Sequence, residues 1–213
     1  MRLVVSAFLL AMVGLALAAC DRVQEPMSAH PEPLTSAPGA VTTAPPARCV
    51  KTWTDKPKRE PFVAGFVAPN CPDKGDADTP PAPKDPLRTA TVTFTDATAT
   101  GARPSVTVEV AESGTARQRG LMMRKSMPEN RGMIFLFEER RDHAFWMHNT
   151  CIPLDMMFID KDGFITGIEE NVPTMSDDTF AAGCPSTYVL EVNAGWSRKH
   201  GVAPGQKVSF DGL

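Results

Sequence analysis

The stretch LDMMFIDKDGFITGI, residues 154–168, holds two apolar segments around a polar turn. Leu154 to Ile159 reads as a strand. Asp160-Lys161-Asp162-Gly163 is a hairpin signal, because aspartate and glycine tolerate the left-handed backbone that tight turns need. Phe164 to Ile168 then returns as the partner strand. Short strands joined this closely run antiparallel, since parallel neighbours need a crossover of about a dozen residues or more.

The same texture extends in both directions. Val106, Val108 and Val110 alternate with Thr107, Glu109 and Ala111, the period-2 pattern of a half-buried strand. Thr115, three residues before Gln118, fits a capping box opening a short helix through Arg117 and Leu121, which Gly120 keeps short. Met133 to Phe137 follows a turn at Pro128 to Gly132 and reads as a buried strand; His143 to Met147 and Tyr188 to Val192 read as further strands. Asn193 is placed to cap a short helix across Trp196, with Gly201 as its stop, and Val208 to Phe210 closes the chain as a strand. About seven short strands and two short helices fill residues 103–213. No strand–long helix–strand alternation is present, so a doubly wound parallel sheet is disfavoured. The expectation is a mainly β fold, a compact antiparallel barrel- or sandwich-like domain.

The rest of the chain differs. Of 20 prolines in 213 residues, 14 fall between Pro26 and Pro86. Such a segment lacks the donors for a helix or sheet interior and behaves as a semi-stiff spacer. Residues 20–102 are therefore read as a proline-rich tether. Arg2 and the apolar run Leu3 to Leu17 have the form of a secretory signal, shorter than the roughly 20 residues a permanent span needs. Leu17-Ala18-Ala19-Cys20 resembles a bacterial lipobox, which implies cleavage after residue 19 and lipidation of Cys20. Each buried methylene contributes roughly 0.8 kcal/mol, so two or three acyl chains hold a protein firmly. The expected location is the bacterial cell envelope, facing the periplasm and anchored in the membrane. Asp21 resembles the signal that retains enterobacterial lipoproteins in the inner membrane, but that rule varies between bacteria and either membrane stays open. Losing residues 1–19 removes Arg2 alone among charges and takes the net charge from −3 to −4. That mixed charge offers no basic face to nucleic acid.

Within the tether, Cys49 to Cys71 encloses Val50, Trp53, Phe62, Val63, Phe66 and Val67. Four cysteines remain once Cys20 carries lipid, and three pairings are open. Proximity favours Cys49–Cys71, a loop lying on the domain, and leaves Cys151–Cys184 as a second staple.

Four strings carry the resemblance of the domain to a known family: RQRGLMMR (117–124), RGMIFLF (131–137), FWMHNTCIPLDMMFID (145–160) and YVLEVNAG (188–195). Their order and spacing, over Val106 to Phe210, resemble domain of unknown function 192, also called uncharacterised protein family 0127. The resemblance implies a small, mainly β, often exported domain and no established activity.

The site residues are read on their own chemistry. Asp155 sits in an apolar run and by alternation shares a face with Pro153, Met157 and Ile159, or is twisted out at the beginning of the strand. A buried carboxylate needs an arginine or several donors, and Arg117 or Arg124 is the expected partner; the alternative is a ligand-reading carboxylate. Trp146, His148 and Asn149, beside Thr150, suit stacking and hydrogen bonding to a flat small molecule or glycan, or else a core tryptophan beside a capped turn. Glu191 faces away from Leu190 and Val192, and with Asp155 it supplies a candidate hydrolase pair. Eight of 11 methionines lie between Met122 and Met175 with His143 and His148, a set that soft Cu(I) would accept, although methionine also fills irregular cores. No phosphate loop, serine elbow or zinc spacing is present, so no cofactor or resident metal is expected. The reading is a binding or accessory module with a cleft built from Trp146, Asn149, Asp155, Glu191 and Arg124. A hydrolase and a copper carrier stand as its rivals.

Overall fold

The computed structural model describes residues 48–56, 58–96, 101 and 103–213. Cys20 and the signal lie outside them. Along the chain come β1 (Thr89–Phe94), β2 (Ser105–Ala111), α1 (Gly114–Arg119), β3 (Arg131–Arg141), β4 (Ala144–Phe145) and β5 (Leu154–Ile159). There follow β6 (Ile165–Val172), β7 (Phe180–Ala181), β8 (Ser186–Asn193), α2 (Trp196–Lys199) and β9 (Val208–Asp211). Seven strands form one sheet in the order β6-β5-β8-β3-β2-β1-β9, and β4 pairs with β7 apart from it.

The domain is mainly β, as expected. The 160–163 turn closes as the sequence predicts, with the Asp160 Oδ1 accepting from Asp162 N and Phe164 N and Gly163 at φ 85°. β2 and β3 are the one parallel pair in the sheet, which residues 112–130 permit by forming a crossover that carries α1 and the GLMMR loop. The sheet curls until its ends meet: Val208 N donates to Gly163 O and Ile165 N to Gln206 O, making a half-barrel. Its concave side holds Val92, Phe94, Val106, Ile134, Leu190 and Trp196; its convex side holds Met133, Phe135, Met156, Phe158 and Val189. With both faces covered, every residue of β5 is buried, which explains why its sequence is an apolar run rather than an alternation. Gly132 lies where β3 meets β8; a Cβ there would sit 2.5 Å from the Glu191 carbonyl oxygen.

Three expectations change. The sheet takes in Thr89–Phe94, upstream of the boundary expected at 103; its alternating valine and phenylalanine are buried. The cysteines pair as Cys49–Cys184 and Cys71–Cys151, not as Cys49–Cys71 and Cys151–Cys184. Residues 48–71 do lie on the domain, but stretched over it. Lys51 N donates to Thr166 O on the edge strand β6, and Ala68 N donates to Cys151 O, so each cysteine is delivered to a different partner. Loop-closure entropy favours the sequence-local pairing over a separation of 135 by only about 1.6 kcal/mol. Lys56 and Arg59 pair with the buried Glu169, and Arg48 with the buried Asp160. Lastly, α2 is capped by Gly195 at φ 80°, while the Asn193 side chain donates to Met127 O.

Candidate functional site

The GLMMR loop begins where α1 ends. Ser113, not Thr115, caps this helix by accepting from Ala116 N, and Gly120 ends it at φ 48° against the Phe135 ring. Met123 follows with φ 61°, its N–H donating to Asn149 O at 2.7 Å. Asn149 itself has φ 53° and Met175 φ 54°. Met175 N donates to Thr150 O and Met147 N to Ser176 O, so three loops with left-handed non-glycine residues are sewn together. Each such residue costs on the order of 1–2 kcal/mol, and such strain gathers where a chain is held for a purpose other than stability.

Beyond this knot Arg124 reaches Glu109 on β2 in a two-pronged pair at 2.5 and 2.7 Å. The pair holds Glu109 below the usual carboxylate range. Arg124 and Glu109 line a cleft of about 530 Å³ with Met122, Met123 and Met133, and residues 82–87 form its outer wall. A guanidinium has five N–H donors, so the pair leaves Arg124 with donors to spare. Arg119 and Lys84 add positive charge at the same cleft, Asp85 a negative one.

The five residues named from the sequence do not converge on one point, although Arg124 and Glu191 lie near enough to interact electrostatically. Asp155 is fully buried on the concave side and meets neither Arg117 nor Arg124. Its oxygens accept from Asn171 N at 2.9 Å, Gly195 N at 3.0 Å and Ser197 N at 2.9 Å. Burial pushes this carboxyl up and the N–H donors pull it back. It is therefore the post that fixes α2 to the sheet. Arg117 instead donates to Leu136 O. Glu191 lies on the opposite, convex side. In the register Asp155 faces Val192 while Met156 faces Glu191, so the two carboxylates project from opposite faces of neighbouring strands. The hydrolase pair has no support in this arrangement. Glu191 is 4% exposed, and its carboxyl makes no hydrogen bond among the described residues. Burial pushes it up to about 8, with Arg124 pulling the other way.

Trp146 is 44% exposed, as stacking on a ligand requires, but one face is already stacked on His148 at 4.7 Å between centroids. Asn149 is buried, and its amide donates to Thr79 Oγ1. Nor does the copper reading gain ground. Met157 belongs to the concave core and Met133, Met147 and Met156 to the convex one. His143 stacks on Phe137, and both nitrogens of His148 are taken by Asp76 and Asp177. Among the described residues no group of His, Cys, Asp and Glu is arranged to hold a metal ion. A second groove of about 360 Å³ lies between the 62–66 turn and residues 193–196.

Sequence reasoning missed Glu109 and Asp76. Glu109 was visible as the polar alternate of β2, but nothing local names its partner.

Residues 95–210 match the family described as DUF192, uncharacterized ACR. Among solved structures, a Sinorhizobium meliloti 1021 protein described as a "putative transcription regulator" is 39% identical, with a TM-score of 0.57 over 62% of this chain and 100% of the other. A protein of unknown function from Novosphingobium aromaticivorans DSM 12444 is 34% identical, with a TM-score of 0.55 over 62% of this chain and 94% of the other. No curated protein matches the chain.

Proposed function

Because the chain belongs to the DUF192 family, whose members bring no established chemistry to borrow, we propose a function from the cleft itself: a membrane-anchored lipoprotein whose domain binds a small organic anion with an apolar body. One observation carries this reading. The cleft of about 530 Å³ sets a half-buried guanidinium with free donors beside Met122, Met123 and Met133. Arg124 would hold the anionic group, oriented by Glu109, and the methionines would pack adaptably on the apolar part. Trp146 does not line this cleft. A glycan is less well served, because neither Asp155 nor Glu191 stands beside Trp146 to bond its hydroxyls. Lipidation of Cys20 would keep this cleft at the periplasmic face of a membrane.

A panel of mono- and dicarboxylates with aliphatic or aromatic bodies, screened by thermal shift, tests the reading. A binder whose effect disappears in Arg124→Met supports it. Binding untouched by Arg124→Met, or a panel without any binder, would overturn it. For the anchor, Cys20→Ser should release the protein from the membrane fraction; unchanged partitioning contradicts lipidation.

A further inference from the structure

We propose that residues 73–88 form a lid over the Arg124 cleft and that His148 is the proton-dependent clasp that keeps it shut. The proposal concerns regulation of the site proposed above and rests on that reading for its purpose, though its test does not.

The segment is built as a strap. At one end Cys71 is bonded to Cys151, and at the other the chain enters β1 at Thr89. Between them no residue from Asp73 to Arg88 is buried. Four prolines, at 80, 81, 83 and 86, stiffen it, so it moves as a unit and not as a coil. Residues 82–87 line the outer side of the cleft, with Leu87 packed against the convex core. Between Asp73 and Leu87 the polar ties to the domain are few: Asp73 to Lys125, Asp76 to His148, Thr79 to Asn149, and the Pro80 carbonyl to Arg119. Asp73 is strongly exposed and its pair with Lys125 is screened by water. The remaining ties gather at Asp76 and its own turn, where Thr79 Oγ1 donates back to Asp76 Oδ1 at 2.7 Å, with Arg119 holding the neighbouring Pro80 carbonyl.

Geometry fixes the charge of the clasp. The His148 Nε2 lies 2.9 Å from Asp76 Oδ2 and its Nδ1 lies 2.7 Å from Asp177 Oδ1. A neutral imidazole has one N–H, so only the imidazolium donates to both carboxylates. Trp146 stacks on the same ring, and its π face favours a cation. Among the described residues the charged groups facing the ring are Asp76 from the strap and Asp177 from the turn between β6 and β7. The Asp177 bond first, and then the Asp76 bond, raise His148 above its ordinary value of 6.5. Thr79 and then Asn149 lead in holding Asp76 down to about 2, so Asp76 stays ionised and only the histidine titrates. A raised histidine stabilises the clasp fully below pH 6.5 and loses it as pH rises through the raised value. Once neutral, the ring keeps a single N–H and can donate to only one of the two carboxylates, so the Asp76 bond is held only part of the time and the strap is loosened. The cleft is thus held shut in acid and more readily opened in alkali.

Hydrogen exchange read by mass spectrometry, on the full chain in mild detergent with no ligand added, tests this. Protection of the 74–87 peptide, corrected for intrinsic rates, should fall about tenfold between about pH 5.5 and about pH 9, the scale of a lost charged hydrogen bond. His148→Gln should show the low protection at both ends. Asp177→Asn, which keeps the ring and the Asp76 bond, should move the midpoint to lower pH. A flat wild-type profile, a His148→Gln variant with the wild-type profile, or an unmoved Asp177→Asn midpoint each overturns the clasp. Strap opening in a chain that binds no anion leaves the clasp standing and sinks the binding reading alone; anion binding under a pH-insensitive strap does the reverse.

Discussion

Replacing Glu191 by glutamine removes one ionisable group and little else. The side chain is buried on the convex face, in a row with Met133 and Met156, and makes no hydrogen bond among the described residues. Glutamine has nearly the shape of the protonated acid and never ionises. In the unfolded chain Glu191 titrates at its ordinary 4.5, while burial moves it to about 8 in the folded protein. A raised carboxyl contributes stability that is complete below pH 4.5 and is lost as pH rises towards 8, because only the unfolded state gives up its proton in that window. Each pH unit is worth about 1.4 kcal/mol, so the wild type loses on the order of 4–5 kcal/mol that the variant keeps. Against a typical total stability of roughly 5–15 kcal/mol, that difference is easily measured. Urea titrations of both proteins, with disulfides intact, should give near-equal stabilities at pH 4.5. The glutamine variant should lead increasingly up to pH 8. A constant difference across that range would refute the reasoning and imply a partner that keeps Glu191 ionised.

Asp155→Ala should destabilise by about 3–5 kcal/mol, read from chemical unfolding, because the N–H groups of Asn171, Gly195 and Ser197 lose their acceptor; a loss under about 1 kcal/mol would contradict its structural role. Peptide mapping without reduction should recover Cys49 linked to Cys184 and Cys71 linked to Cys151. The paired Cys71→Ser, Cys151→Ser variant should lose about 2–5 kcal/mol, and recovery of a Cys49–Cys71 peptide would overturn the connectivity. Gly132→Ala should lower stability by more than about 2 kcal/mol, since its methyl meets backbone and not a yielding side chain; a neutral result in thermal melting would refute that packing. Trp146→Ala, at an exposed position, should change stability by less than about 1 kcal/mol.

How far the sequence could be read depended on whether a feature was local. The 160–163 turn and β5 were legible because a hairpin signal and an apolar run are satisfied by neighbours in the chain. Alternation also placed Asp155 with Met157 and Glu191 away from Leu190 correctly. It could not say that these carboxylates lie on opposite faces of adjacent strands, since that follows from the pairing of β5 with β8. β1 was overlooked although Val92 and Phe94 alternate with threonines, because the neighbouring proline-rich texture masked a six-residue signal.

By itself the sequence determined a mainly β domain, its principal hairpin, its family and the apolar faces of its strands, all set by spacing and turn chemistry within a few residues. Only the tertiary structure decided the partners: Arg124 with Glu109, His148 between two aspartates, Asp155 with backbone amides, and each cysteine with one far along the chain. Those choices are long-range. A carboxylate or a thiol states what it needs but not which distant group the curled sheet will bring to it.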